Sequence, residues 1–337
     1  MNIPTITHNG LSFIHLNTPT EEEVKFLNKS FGFSMLNLED YLYKTQIPKI
    51  ETYKDYSLVV VDVPYINQPG KGKKESVSKL SFIPNILSSR VPMPIFPKTP
   101  RKKRISVGEV DFFIGKDYIV ILHDEKTSQI DELFEMCKLN EKNRDDLMGK
   151  GPVYLFYRII DVLVDASITY VEDISNTIDY IDRQLENNRS GSVIEDISMT
   201  RRNIVVFETM IKPALPIFAD LEKGKYPKLN GEMMPYWSNI LDHLQKIWER
   251  LEDNKELILG ISASHESILS NRSNELVKFL TVITAIAFPF AIMNNLYSMN
   301  VKGLPYADQP WIVTFLFLVI FSGGLLIIAY FKYRDWL

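Results

Sequence analysis

Phe279–Leu296, FLTVITAIAFPFAIMNNL, and Trp311–Phe331, WIVTFLFLVIFSGGLLIIAYF, are two apolar runs without a charged residue. The polar loop Tyr297-Ser298-Met299-Asn300-Val301-Lys302-Gly303-Leu304-Pro305 follows the first. At about 1.5 Å rise per residue the runs are roughly 27 and 31 Å long as helices, enough to cross a hydrocarbon core about 30 Å thick. Everything upstream is polar enough to dissolve in water. The sequence therefore reads as a large soluble domain joined to a C-terminal membrane hairpin.

The flanks orient that hairpin. Arg272 and Lys278 precede the first run, Lys332 and Arg334 follow the second, and the loop between them sets Lys302 against Asp308. Two spans put both termini on one side, and the excess of basic residues makes that side cytoplasmic. The opening residues MNIPTITHNG lack a basic stretch followed by an apolar one, so no signal peptide is expected. The single cysteine, Cys137, excludes a disulfide framework and fits a reducing compartment. A net charge of -4 over 337 residues gives no indication of nucleic-acid binding.

Residues 1–150 read as a mixed α/β domain. Val59–Val63 is expected to be a strand closed by Pro64, and Val110–Ile114 and Tyr118–Leu122 a hairpin across Gly115-Lys116-Asp117. Glu21–Leu27 and Asp131–Met136 read as helices. The basic stretches 71–74 and 101–104 read as loops. From 151 to 272 the pattern is helical. Apolar residues recur at three- and four-residue steps from Val153 to Leu185, and Gly191 ends that helix. A second helix is expected from Val193 to Ile211, stopping near Pro213 and Pro216. A third starts after Pro235 and meets no proline before Pro289, with Gly260 its weak point. Unbroken to Leu296, it would be about 90 Å long and would need partners along its length, the obvious ones being copies of itself. Residues 273–337 form the membrane segment: a helix over about 277–297, an external loop over 298–310 and an outer helix over 311–331.

No Walker-type phosphate loop and no G-x-S-x-G nucleophile elbow occurs, so no enzyme is expected. His8, His15, His123, His243 and His265 show no metal-ligand spacing along the chain. Acid is abundant on the long helices: Asp161, Asp165, Glu172, Asp173, Asp179, Asp182 and Glu186. Like charges three or four residues apart repel unless a cation lies between them, and hard divalent ions favour carboxylate oxygens. These acids read either as solvated helix faces or as cation sites. In the first span Asn274, Val277, Thr281, Thr284, Phe288, Ala291 and Asn295 recur on one helical face. Amides and hydroxyls avoid lipid, whereas the second span has no comparable stripe. The first span is thus expected to line a pore and the second to face lipid. One pair of spans cannot enclose a channel, so a ring of chains is implied.

These features resemble the CorA family of divalent-cation channels. The resemblance rests on two C-terminal spans, the tetrapeptide Tyr297-Ser298-Met299-Asn300 closing the first, and the mid-span Pro289. It is supported by the membrane-entering segment Asn274–Thr281, the hairpin ending in His123 and the basic-aromatic tail Tyr330–Leu337. It implies a funnel-shaped homopentamer in a prokaryotic inner or plasma membrane, with passive Mg²⁺ uptake gated by Mg²⁺ bound between the cytoplasmic domains. By the same resemblance Asn300 would form a ring selecting hydrated Mg²⁺, with Tyr297 and Met299 holding it. Val277, Leu280, Thr284 and Phe288 would line the pore, and carboxylates of the cytoplasmic domain would sense internal Mg²⁺; Asp253, Asp173 and Asp179 are candidates for that role, which the resemblance does not assign residue by residue.

The sequence also departs from the family. Ser298 replaces the glycine of Gly-Met-Asn, which would cost of order 1 kcal/mol if a left-handed backbone were required there. Leu304-Pro305-Tyr306 stands where Met-Pro-Glu is usual, and Phe288 and Ala291 suggest a drier, narrower pore. A Zn²⁺ or Co²⁺/Ni²⁺ transporter of the same superfamily and a non-conducting membrane-anchored metal sensor or scaffold remain as alternatives.

Overall fold

The structure, a computed structural model, describes residues 3–43, 47–67, 104–124, 127–186, 193–299, 305 and 309–334. The chain forms two compact units, Met1–Leu259 and Gly260–Leu337, so the segments read as 1–150 and 151–272 largely fold together.

The first unit opens with strands β1 (Thr5–His8) and β2 (Leu11–Asn17), then helices α1 (Glu21–Phe31) and α2 (Met35–Tyr43). Strands β3 (Lys49–Thr52), β4 (Ser57–Asn67), β5 (Arg104–Ile114) and β6 (Tyr118–His123) complete a six-stranded sheet in the order β1-β2-β6-β5-β4-β3. Among the described strands, only β2 and β6 pair in parallel. Helix α1 begins at a reciprocal cap. The Glu23 amide donates to the Thr20 hydroxyl, and the Thr20 amide donates to the Glu23 carboxylate at 2.8 Å. It ends at Gly32, whose φ of 68° lies in the left-handed region that glycine adopts freely.

Period-two alternation gives the sheet two apolar faces. On one, Ile14, Leu16, Leu58, Val60, Phe113, Val120 and Leu122 pack with Val24, Leu27, Leu38 and Tyr41 of α1 and α2. The other face is covered by α3 (Ser128–Leu139), α5 (Pro152–Glu186) and α6 (Val193–Glu222). There Phe13 meets Phe134 edge-on at 5.1 Å and Phe112 meets Phe156 at 5.0 Å. Helices α4 (Glu141–Met148) and α7 (Pro227–Asn230) and a 3-10 turn at Gly231–Met233 connect these elements to α8 (Met234–Ser298). Trp237, fully buried at the start of α8, donates its indole N–H to the Leu229 carbonyl at 3.0 Å. The buried face Trp237, Ile240, Leu244, Ile247, Leu251 and Ile258 gives this part of α8 its core contacts. Ser175 and Asn254, and Lys255 and Glu208, bind it to α5 and α6. Its first partners are therefore helices of its own chain rather than copies.

Three prolines act differently from the sequence expectation. Strand β4 runs through Pro64 to Asn67: β3 pairs only with Ser57–Val60, so Pro64 has a described neighbour, Val107 of β5, on one side alone and its missing N–H costs no ladder bond on the other. Helix α6 continues through Pro213 and Pro216 to Glu222. An internal proline costs about 3 kcal/mol. Burial of Ala214, Ile217, Phe218 and Leu221 beyond them offsets that. Helices α2 and α4 and strands β1 to β3 were not read from the sequence, being short or weakly periodic.

In the second unit α8 continues through Pro289 without a break, and α9 (Pro310–Tyr333) packs against it. Both are long and apolar enough to cross a membrane.

Candidate pore face and filter segment

The contact between α8 and α9 decides which side of α8 is left open. Val282, Ile286, Pro289, Phe290, Met293 and Tyr297 are half-buried at three- and four-residue steps, on a face turned to α9. Phe290 stacks on Phe317 at 6.1 Å and meets Phe321 edge-on at 6.2 Å. Gly324, the buried residue of α9, lies directly under Ile286. Small residues let membrane helices approach in this way.

At about 100° per residue, Val277, Thr284, Phe288, Ala291 and Asn295 fall on the opposite side of α8, with Asn274 and Thr281 at its margin and Leu280 on its flank. All eight are exposed in the single chain, Val277 at 60%, Leu280 at 64% and Phe288 at 61%. The hydroxyls of Thr281 and Thr284 donate to the carbonyls of Val277 and Leu280, each at 2.7 Å. Their donors are satisfied within the helix, and each oxygen keeps acceptor capacity.

The filter segment begins inside the helix. Tyr297 and Ser298 both belong to α8, so the helix runs one residue beyond the 277–297 expected and takes in Ser298 from the loop read as 298–310. The Ser298 hydroxyl donates to the Asn294 carbonyl one turn back, and the Tyr297 hydroxyl donates to the Pro305 carbonyl at 3.2 Å. Ser298 has no positive φ, so the left-handed strain considered for a serine in place of glycine is not present. Met299 is exposed just past the helix. Asn300, the remainder of the loop to Leu304, and the basic stretches 71–74 and 101–103 lie outside the described residues.

The acids named as sensors are dispersed. Asp173 is half-buried, and Asp179 and Asp253 are exposed on α5 and α8. Asp161 pairs with Arg158 at 3.1 Å, and burial, reinforced by Asp165, raises its carboxyl above the usual range. Among the described residues, the group of three or more His, Cys, Asp or Glu ligand atoms lying close enough to hold a metal is another one: His15, His123 and Asp131. The fold joins two histidines that are 108 residues apart in sequence. Burial holds both imidazoles below the usual histidine range.

Comparison with known proteins agrees with this architecture. Residues 8–87 and 90–333 match the family described as CorA-like Mg²⁺ transporter protein. The cobalt/magnesium transport protein CorA of Thermotoga maritima is 23% identical over 314 residues, covering 93% of this chain and 80% of that protein. The putative metal ion transporter YfjQ of Bacillus subtilis is 23% identical over 320 residues, covering 94% and 87%. The complete structure of the CorA magnesium transporter from Methanocaldococcus jannaschii shares the fold, with a TM-score of 0.71 at 19% identity over 96% of this chain and 92% of that one. The chain belongs to the CorA-like family of divalent-cation transporters, which are not enzymes.

Proposed function

We propose that five copies of this chain surround a pore through which Mg²⁺ passes down its electrochemical gradient, across a cytoplasmic membrane with both termini on the inner side. The observation that carries this reading is the open face of α8. A stripe holding Asn274, Thr281, Thr284 and Asn295 is costly against lipid, yet α9 covers the opposite side. Copies arranged about an axis would give that stripe a water-lined interior. The exposed Leu280 and Phe288 supply an apolar constriction that can close by dewetting. Asn300, just beyond the end of α8, is assigned to a ring of amide carbonyls accepting hydrogen bonds from ion-bound water, with Met299 and Tyr297 holding it. Mg²⁺ gives up its water reluctantly, so an outer-sphere ring suits it. Mg²⁺ bound through carboxylates such as Asp253, Asp173 and Asp179 is assigned to regulation. The cobalt/magnesium name of the Thermotoga relative supports the choice of ion.

Flux into proteoliposomes tests the reading. Purified protein should run near five times the 39.0 kDa chain mass after correction for detergent, and should admit Mg²⁺. Faster Zn²⁺, Co²⁺ or Ni²⁺ flux would change the ion. An assembled protein that conducts nothing would support the sensor or scaffold alternative.

A further inference from the structure

We propose that His15, His123 and Asp131 form a binding site for a borderline divalent transition metal of the Zn²⁺ or Co²⁺ class, within the α/β domain. The parallel pairing of β2 and β6 sets His15 opposite Ile121 and His123 opposite Asn17, so the histidines are diagonal neighbours on one face of the sheet. That face is covered by α3, which brings Asp131 over the pair.

Proton bookkeeping makes this more than a buried polar cluster. His123 Nδ1 lies 2.9 Å from the Asp124 carbonyl, to which it donates, so Nε2 presents a lone pair. That atom lies 2.7 Å from Nε2 of His15, which lies 2.8 Å from Oδ1 of Asp131. One N–H on His15 thus faces two acceptors. The acceptors, His123 Nε2 and Asp131 Oδ1, stand 3.6 Å apart with no proton of their own to share. When His15 carries its proton on Nδ1 instead, three lone pairs converge on one point. Tetrahedral zinc with bonds of about 2.0–2.2 Å holds neighbouring ligand atoms about 3.3 Å apart, so 2.7, 2.8 and 3.6 Å bracket the required spacing.

The surroundings fix the three groups as metal ligands are usually fixed. The Asp124 carbonyl sets the His123 ring. Phe134 stacks on His15, with centroids 4.8 Å apart and planes 24° apart. The Asn17 amide donates to both oxygens of Asp131 at 3.4 and 3.3 Å. Both histidines are buried while the Asp131 side chain is 36% exposed, which leaves one open side for the ion and a water ligand. Two imidazoles and one carboxylate suit Zn²⁺, Co²⁺ or Ni²⁺ and disfavour Mg²⁺, which prefers oxygen alone. The site is independent of the pore proposed above and of the ion that passes through it.

The test uses metal-stripped full-length protein in detergent with millimolar Mg²⁺ present to fill hard-ion sites. Bound Zn²⁺ is counted by elemental mass spectrometry, and Co²⁺ is followed by its visible absorption. Wild type should retain one Zn²⁺ per chain, and Zn²⁺ should bleach a Co²⁺ spectrum characteristic of nitrogen ligation. Asp131→Asn removes the carboxylate at the partly exposed position, and His15→Phe keeps a ring against Phe134. Each should weaken binding by at least roughly tenfold, with the metal-free melting curve unchanged for Asp131→Asn. If His15→Phe fails to fold, Asp131→Asn decides the matter alone. Absence of Zn²⁺ from wild type, or retention by Asp131→Asn equal to wild type, overturns the site. Mg²⁺ flux, measured separately, bears on the pore only.

Discussion

Gly324 and Gly323 are neighbours on α9 with opposite surroundings, and substituting each tests whether α9 holds α8 in the orientation described. A β-carbon on Gly324 would stand 3.1 Å from Cγ2 of Ile286, 3.6 Å from Cγ1 and 3.8 Å from Cβ. Carbon atoms pack at about 3.5–4.0 Å, so a single methyl already requires Ile286 or its helix to give by a few tenths of an ångström. The contacted atom belongs to a β-branched side chain with a stiff χ1, which cannot swing aside freely. Gly324→Leu adds three more carbons to that gap. Overpacking of this kind costs about 1–3 kcal/mol, against which the better helix propensity of leucine returns up to about 1 kcal/mol. At Gly323 nothing lies within 4 Å of an added β-carbon, so Gly323→Leu should keep the propensity gain without the clash. The two variants should differ by about 2 kcal/mol, in favour of Gly323→Leu. Thermal unfolding in detergent should separate them by several degrees, and Mg²⁺ flux into proteoliposomes should fall further in Gly324→Leu. Equal behaviour of the two would refute the α8–α9 packing.

Three further outcomes are expected. Asn300→Ala removes the amide proposed to meet the hydrated ion and should abolish Mg²⁺ flux while the assembly mass stays constant; unchanged flux would remove Asn300 from the filter. Ser298→Gly should leave flux near wild type, because Ser298 is already helical and glycine relieves no left-handed strain there; a large rise in flux would show that the serine acts as a brake. Asp62 supplies a pH dependence: burial raises its carboxyl to about 6, above the ordinary 3.8. Below both values it is protonated whether the protein is folded or unfolded. As pH rises from about 4 to 6 the unfolded chain ionises first, so stability falls and then levels off. With its partial exposure discounted, the loss is about 1–2 kcal/mol. Asp62→Asn should therefore stabilise the protein at pH 7 and make little difference at pH 3.5 in urea unfolding, and a gain that is the same at both would show that desolvation of the charge is not the cause.

The membrane hairpin, the long helix entering it and the helical face holding Thr281, Thr284 and Asn295 were legible in the sequence, because each depends on local periodicity or on uninterrupted apolar length. The helix across Pro289 was expected as part of the span 277–297, and the structure shows it continuous with the rest of α8. Proline was misread at Pro64, Pro213 and Pro216 because its local penalty was weighed without knowing what lay beyond it. The end of β3 spares Pro64, and the buried turn Ala214–Leu221 carries α6 past the other two. Neither fact can be seen in a window of a few residues. Whether Ser298, in place of glycine, had to meet a left-handed backbone was open in the sequence, and only its place in the last turn of α8 shows an ordinary helical residue. The convergence of His15, His123 and Asp131 was the least legible feature. The nearest sequence clues were the alternation in Leu11–Asn17 and a hairpin strand ending in His123. The ligand atoms come together through parallel pairing of β2 with β6 and the passage of α3 over that sheet face. Strand partnership between residues more than a hundred positions apart is a choice among many pairings of similar local propensity, and burial of whole faces in the tertiary structure makes that choice.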